Sequence, residues 1–152
     1  MTPIDLPLSA LSETERALVA AAQAALKNAY APYSRFHVGA ALLFGDGNIH
    51  QGANFENVSY GLSLCAETVA IASANAGGRL RDITAVAVAA EGELDAAVTG
   101  EFIPPCGRCR QIIAEVAQLT GRDLPVLMLA RSGDRVRRST IQALLPLAFG
   151  QG

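Results

Sequence analysis

The chain of 152 residues carries three cysteines, and they sit in two short stretches, Cys65-Ala66-Glu67 and Pro104-Pro105-Cys106-Gly107-Arg108-Cys109. An odd set cannot pair off fully as disulfides within one chain. Cys106 and Cys109 are three positions apart at a predicted helix start, so they share one face. Cys65 falls in the first turn of a different predicted helix. If the cysteines make one site, the fold must aim two helix N-termini at a single point. Unpaired backbone N–H groups and the positive ends of the helix dipoles favour thiolate there.

The donor set narrows the chemistry. Three thiolates make a plausible zinc site, and three protein ligands leave a coordination position for water, as catalytic zinc needs. Glu67, two residues after Cys65, is placed to move a proton beside that position. Other readings stay open at this point. CxxC alone also suits a redox pair, and His37 or His50 could close a structural four-ligand zinc site. Both histidines lie in or beside a predicted hairpin, where a surface or satisfied core role is the ordinary one.

The rest of the chain supplies a frame for such a site. Ser12 and Glu15 read as a capping box opening a helix over about 13–28, with Leu18, Val19, Ala22, Ala25 and Leu26 at helical spacing; Pro32 lies beyond it. Strands are predicted over 38–44 and 48–54, joined at Gly45-Asp46-Gly47. A helix over about 64–75 closes at Gly77 and Gly78. A buried strand follows over 83–90, then a helix over about 106–119 with Gly121 as C-cap. A second buried strand spans 124–130. Ser132-Gly133-Asp134 turns into a polar strand over 135–138, read as a sheet edge. Ser139 and Gln142 suggest another capping box, for a short helix ending near Pro146. The expectation is one α/β domain over 1–152: three layers, with a mixed five-stranded sheet and helices on both faces.

Composition excludes several function classes. A formal net charge of −2 offers no field for a phosphate backbone. With no Trp, five Phe and three Tyr, an extended base-stacking platform is not expected. MTPIDLPLSA has neither a basic nor a long apolar region, so it does not read as a signal peptide, and no apolar run approaches the roughly 18 residues of a membrane span. The expected setting is the reducing cytoplasm, where cysteines serve more often as metal ligands or catalysts than as staples.

The motifs together resemble the small zinc-dependent cytidine deaminases. The resemblance rests on Cys65-Ala66-Glu67, on PCGRCRQ at 105–111, and on AYAPYSRFHVGAALL at 29–43, GANFENVSYG at 52–61 and LLPLAF at 144–149. It implies an α/β/α deaminase fold with one zinc held by Cys65, Cys106 and Cys109, and Glu67 as the proton shuttle. It implies that Phe36 packs on the pyrimidine, that Asn54 and Glu56 hydrogen-bond the ribose hydroxyls, and that the Ala66 backbone reads the base edge. Tyr60 and Phe149 match aromatic positions that help build a neighbouring subunit's pocket in a homotetramer with shared active sites. The implied reaction turns free cytidine or deoxycytidine into uridine or deoxyuridine plus ammonia, in pyrimidine salvage, with no nucleic acid or membrane as partner.

One position departs from the pattern. The family often has Arg directly after the catalytic Glu, hydrogen-bonded to the thiolates, and this chain has Thr68. Three thiolates on Zn²⁺ leave a net negative charge that weakens a Lewis acid, so a positive group should offset it. Arg110 matches a second arginine that contacts the thiolates, and with the helix dipoles it is expected to suffice; Arg108 is a further candidate. Blasticidin S deaminases also lack the first Arg and carry PCGRCRQ, so a modified cytosine nucleoside is the alternative substrate. The NFENVSYG segment favours cytidine itself.

Overall fold

The computed structural model describes residues 2–94 and 96–150. Six strands form one sheet: β1 (Ile4–Pro7), β2 (Phe36–Phe44), β3 (Ile49–Ala53), β4 (Ile83–Gly92), β5 (Pro125–Leu129) and β6 (Arg135–Thr140). Their order is β1-β6-β5-β4-β2-β3. Only the central β4–β5 pair is parallel; the other pairs run antiparallel. Parallel neighbours need a crossover, and α4 (Gly107–Thr120) supplies it after the short α3 (Ala96–Thr99). α1 (Glu13–Ala25) packs on one face; α2 (Ala66–Ala76), α4 and α5 (Ile141–Leu144) cover the other.

The period of two along the inner strands explains the layers. On β2 and β4, Ala41, Ala85, Ala87 and Ala89 face α1, whereas Leu42, Phe44, Val86 and Val88 face α2 and α4. Small residues let α1 lie close to the sheet. At Gly39 the approach is closest: a Cβ there would fall 2.0 Å from the Ala22 carbonyl oxygen. On the opposite face, a Cβ at Gly52 would fall 2.6 Å from backbone atoms of Ala66 and Ala70. That contact seats the first turns of α2 flush on β3, and so fixes where Cys65 and Glu67 point.

The Ser12–Glu15 capping box forms in both directions. The predicted tail of α1 tightens into a 3₁₀ turn over Leu26–Asn28. Gly121 closes α4 at φ 66°, the left-handed conformation glycine adopts freely.

Three expectations are corrected. The sheet has six strands rather than five, because Ile4–Pro7 pairs with β6; a four-residue strand flanked by Pro3 and ending on Pro7 has little strand signature. β6 is therefore an inner strand, not an edge. Its polar pattern comes from arginines that reach the neighbouring elements: Arg137 pairs with Asp5 at 2.7 Å and Arg138 with Glu15 at 2.6 Å. Finally, Ser139 and Gln142 form no capping box. Thr140 is the N-cap of α5, without a side-chain bond. The Gln142 N–H instead donates to Asp123 Oδ1 at 3.0 Å, and Ser139 lies fully buried in β6.

Candidate active site

Cys65 is the N-cap of α2 and Cys106 the N-cap of α4, both with extended backbone. Cys109 sits one turn into α4 and is fully buried. The close seat of α2 on β3 and the crossover through α4 bring the two helix starts together, so the three Sγ atoms lie within 4.8 Å of one another. Cys65 Sγ and Cys106 Sγ are 3.7 Å apart. Tetrahedral zinc with bonds of about 2.3 Å needs sulfur atoms roughly 3.8 Å apart. The Cys65–Cys106 pair has that spacing, and Cys109 lies close enough to complete the donor set. Hydrogen bonding from Cys109, against the opposing effect of burial and with help from Cys106 and the Arg108 charge, holds the Cys65 thiol down to about 6. Cys109 is pushed up by Cys65 and by its burial. A divalent ion held by the trio favours the thiolate form of its ligands.

Glu67 lies in the first turn of α2 and is only 4% exposed. Burial, opposed by its own backbone N–H and reinforced by the Cys65 charge, raises its pKa above the ordinary carboxyl value. The carboxyl faces a cavity of about 380 Å³ that Phe36, Asn54, Glu56, Tyr60, Cys65 and Cys106 also line. Five residues read from sequence for this chain's own site thus share one space with Glu67, and Tyr60, expected at a neighbouring subunit's pocket, lines this one as well.

The farther part of the cavity is made from β2 and the loop after β3. Asn54 Oδ1 accepts from the Val38 N–H and its Nδ2 donates to the Phe36 carbonyl, each at 2.9 Å. It extends the β2–β3 ladder with a side chain and holds the Phe36 wall. Glu56 Oε2 accepts from the N–H groups of Tyr33 and Ser34 at 3.0 and 3.2 Å, and Oε1 accepts from the Ser34 hydroxyl. Burial works to raise the Glu56 pKa, but these donors outweigh it and hold the carboxyl below its usual value. Ala66 is buried at the start of α2, where backbone N–H groups lack helical partners.

Three further residues stand elsewhere. Phe149 is 86% exposed and does not line the cavity; its backbone is tied to Gln111. Thr68 Oγ1 lies 3.7 Å from Cys109 Sγ and donates when that sulfur is a thiolate. Arg110 directs Nε to the Pro105 carbonyl at 2.8 Å and Nη1 to the Leu144 carbonyl at 2.9 Å. It therefore braces the start of α4 against α5, while Thr68 is the side chain beside the sulfur. Sequence reasoning missed Ser34, Val88, Leu94, Ile103 and Pro104 as cavity lining. Ser34, two positions before Phe36, and Pro104, two positions before Cys106, had local cues.

Residues 12–120 match the cytidine and deoxycytidylate deaminase zinc-binding region. The chain belongs to that family. A cytidine deaminase of Halalkalibacterium halodurans is 46% identical over 132 residues, covering 87% of this chain and 91% of that one. The crystal structure of cytidine deaminase from Burkholderia pseudomallei is 44% identical, with a TM-score of 0.76 over 91% of this chain and all of that one. A blasticidin-S deaminase of Bacillus cereus matches more weakly, at 30% over 118 residues, 76% of this chain and 79% of that one. The family's zinc-binding region contains all three sulfurs of the cluster. One zinc per chain is its cofactor.

Proposed function

We propose that this protein deaminates free cytidine and deoxycytidine by hydrolysis, yielding uridine or deoxyuridine and ammonia. The observation that carries this reading is the buried Glu67 carboxyl beside the three-sulfur cluster, facing a cavity with an aromatic wall. Bound by Cys65, Cys106 and Cys109, zinc supplies the Lewis acidity that makes water a nucleophile at neutral pH.

The protein's own residues do the rest. Phe36 lies against the ring and the Ala66 N–H meets its edge, which presents C4 to the cluster. Glu67 takes a proton from the attacking water and delivers it to N3, so the ring accepts the new C4–O bond without a full negative charge. The same carboxyl then carries the second proton to the exocyclic nitrogen. The C4–N bond breaks, ammonia leaves, and N3 keeps its proton in the product. The walls around Glu67 exclude bulk water and preserve its raised proton affinity. Asn54 and Glu56 take the sugar hydroxyls.

Thr68 carries a second reading, a modified cytosine nucleoside as substrate, because it leaves the cluster with one fewer positive neighbour. Side-by-side turnover of cytidine, deoxycytidine and blasticidin S, followed by ultraviolet absorbance, separates the two. Rapid cytidine loss that vanishes in Glu67→Ala supports the first; cytidine inert beside rapid blasticidin turnover replaces it.

The assembly we propose is a homotetramer with sites shared between subunits. Val58, Tyr60, Leu147 and Phe149 are each at least 75% exposed, and apolar surface of that kind is what a second copy covers. Sedimentation of the wild type against Tyr60→Ala tests it, and a monomeric wild type overturns it. Among the described residues no helix is long and apolar enough to cross a membrane. We place the reaction in the cytoplasm, in pyrimidine salvage, where a reducing milieu keeps Cys65, Cys106 and Cys109 as thiols.

A further inference from the structure

We propose that Ser34 is the positioning residue of the sugar end of the cavity: its hydroxyl locks the Glu56 carboxylate for a single sugar hydroxyl and ties it to the Phe36 wall. The inference rests on the reading in which Glu56 receives a sugar hydroxyl.

The geometry is specific. Oε2 of Glu56 is held by two backbone donors, the N–H groups of Tyr33 and Ser34. Those donors pin one oxygen and leave the carboxylate free to swing about it. The Ser34 hydroxyl donates to the other oxygen, Oε1, and removes that freedom. The Ser34 oxygen in turn accepts from the Phe36 N–H at 3.1 Å. One hydroxyl thus links the carboxylate that meets the sugar to the backbone of the ring that meets the base. A carboxylate has about four acceptor sites. Three are taken here, which leaves one, on a residue that lines the cavity. A group with one remaining acceptor reads one hydroxyl, and its direction is set by the donors already in place.

The local backbone is built for this. Arg35 adopts φ 54°, a left-handed conformation uncommon outside glycine, and its N–H donates back to the Ala31 carbonyl at 3.0 Å. The turn over 31–35 therefore presents two successive N–H groups and the Ser34 side chain to one anion. Loss of the Ser34 hydroxyl leaves that turn its backbone bonds, so its effect is confined to the aim of Glu56 and Phe36.

The test compares kcat/KM for cytidine and for 2′,3′-dideoxycytidine, which lacks both hydroxyls that Glu56 could receive. It uses the zinc-loaded wild type, Ser34→Ala, Ser34→Thr and Glu56→Gln. The cytidine-to-dideoxycytidine ratio is expected to fall about five-fold in Ser34→Ala, the scale of one hydrogen bond. Ser34→Thr, which keeps the hydroxyl, restores the ratio, and Glu56→Gln lowers it at least as far as Ser34→Ala. Equal losses on both substrates in Ser34→Ala, with a selective loss in Glu56→Gln, overturn the role of Ser34 alone. Equal losses on both substrates in Glu56→Gln overturn the sugar reading beneath it. If Ser34→Ala does not fold, Ser34→Cys carries the same ratio, since its thiol is a far weaker donor.

Discussion

The two ends of the cavity are held by opposite means. At the sulfur end, position comes from burial and helix ends: Cys109 and Ala66 are fully buried, Glu67 nearly so, and α2 rests on β3 through Gly52. At the sugar end, Tyr33, Ser34 and Tyr60 are exposed, and position comes from hydrogen bonds to Glu56 and Asn54. Chemistry that needs a perturbed proton affinity is sealed in the core. Recognition that needs an ionised carboxylate is placed at the half-exposed end, where donors hold its proton affinity down and aim it.

The contrast breaks first at Glu67. Glu67→Gln keeps the shape but cannot carry a proton, and kcat is expected to fall on the order of 10³-fold with zinc content unchanged in metal analysis. Cys109→Ala should do damage of a different kind, because it removes a donor at the most buried point of the site. Zinc affinity should drop beyond the roughly 10–100-fold that loss of a ligand's hydrogen-bond partner causes, and the melting temperature should fall with it. Retained zinc by competition with a chelator would show that two sulfurs suffice.

Gly52→Ala probes the seat of α2. The added methyl meets helix backbone at 2.6 Å, so a loss of about 1–3 kcal/mol is expected in denaturant melts. Gly61→Ala, with nothing within 4 Å, is the neutral control. The smallest effects belong to the neighbours of the sulfurs. Arg110→Ala should lower both melting temperature and zinc retention, since it releases the Pro105 and Leu144 carbonyls. Thr68→Ala should weaken zinc by up to about ten-fold and leave the melt unchanged. The reverse ranking in zinc retention would show that the Thr68 hydroxyl, rather than Arg110, supports the sulfurs.

The same contrast explains what was legible in the sequence. Cys65, Glu67, Cys106 and Cys109 were readable because a cap, a proline pair and an i, i+3 spacing are local signals. The hairpin and the α1 capping box were local as well. The partner of Gln142 was not, because Asp123 competes with Ser139 for it across 19 residues. Nor was the inner place of β6, which depends on four residues at the far end of the chain. Ser34 is 22 residues from Glu56, and its link is created by the turn at Arg35, a conformation no propensity foretells. Arg110 was assigned to sulfur by motif, and the structure gives two of its donors to carbonyls. A guanidinium has several donors in a fixed fork, and a motif does not say where each one goes.

The sulfurs of Cys65 and Cys106, 41 residues apart, also have a meaning in polymer terms. A cation between them turns the intervening chain into a ring, and that ring contains β4, the strand at the heart of the sheet. The unfolded chain has no such site, so the ion closes this ring only in the folded protein and its binding free energy becomes folding free energy. A chelator would therefore loosen more than the catalytic floor: it would unfasten the segment that carries the central strand.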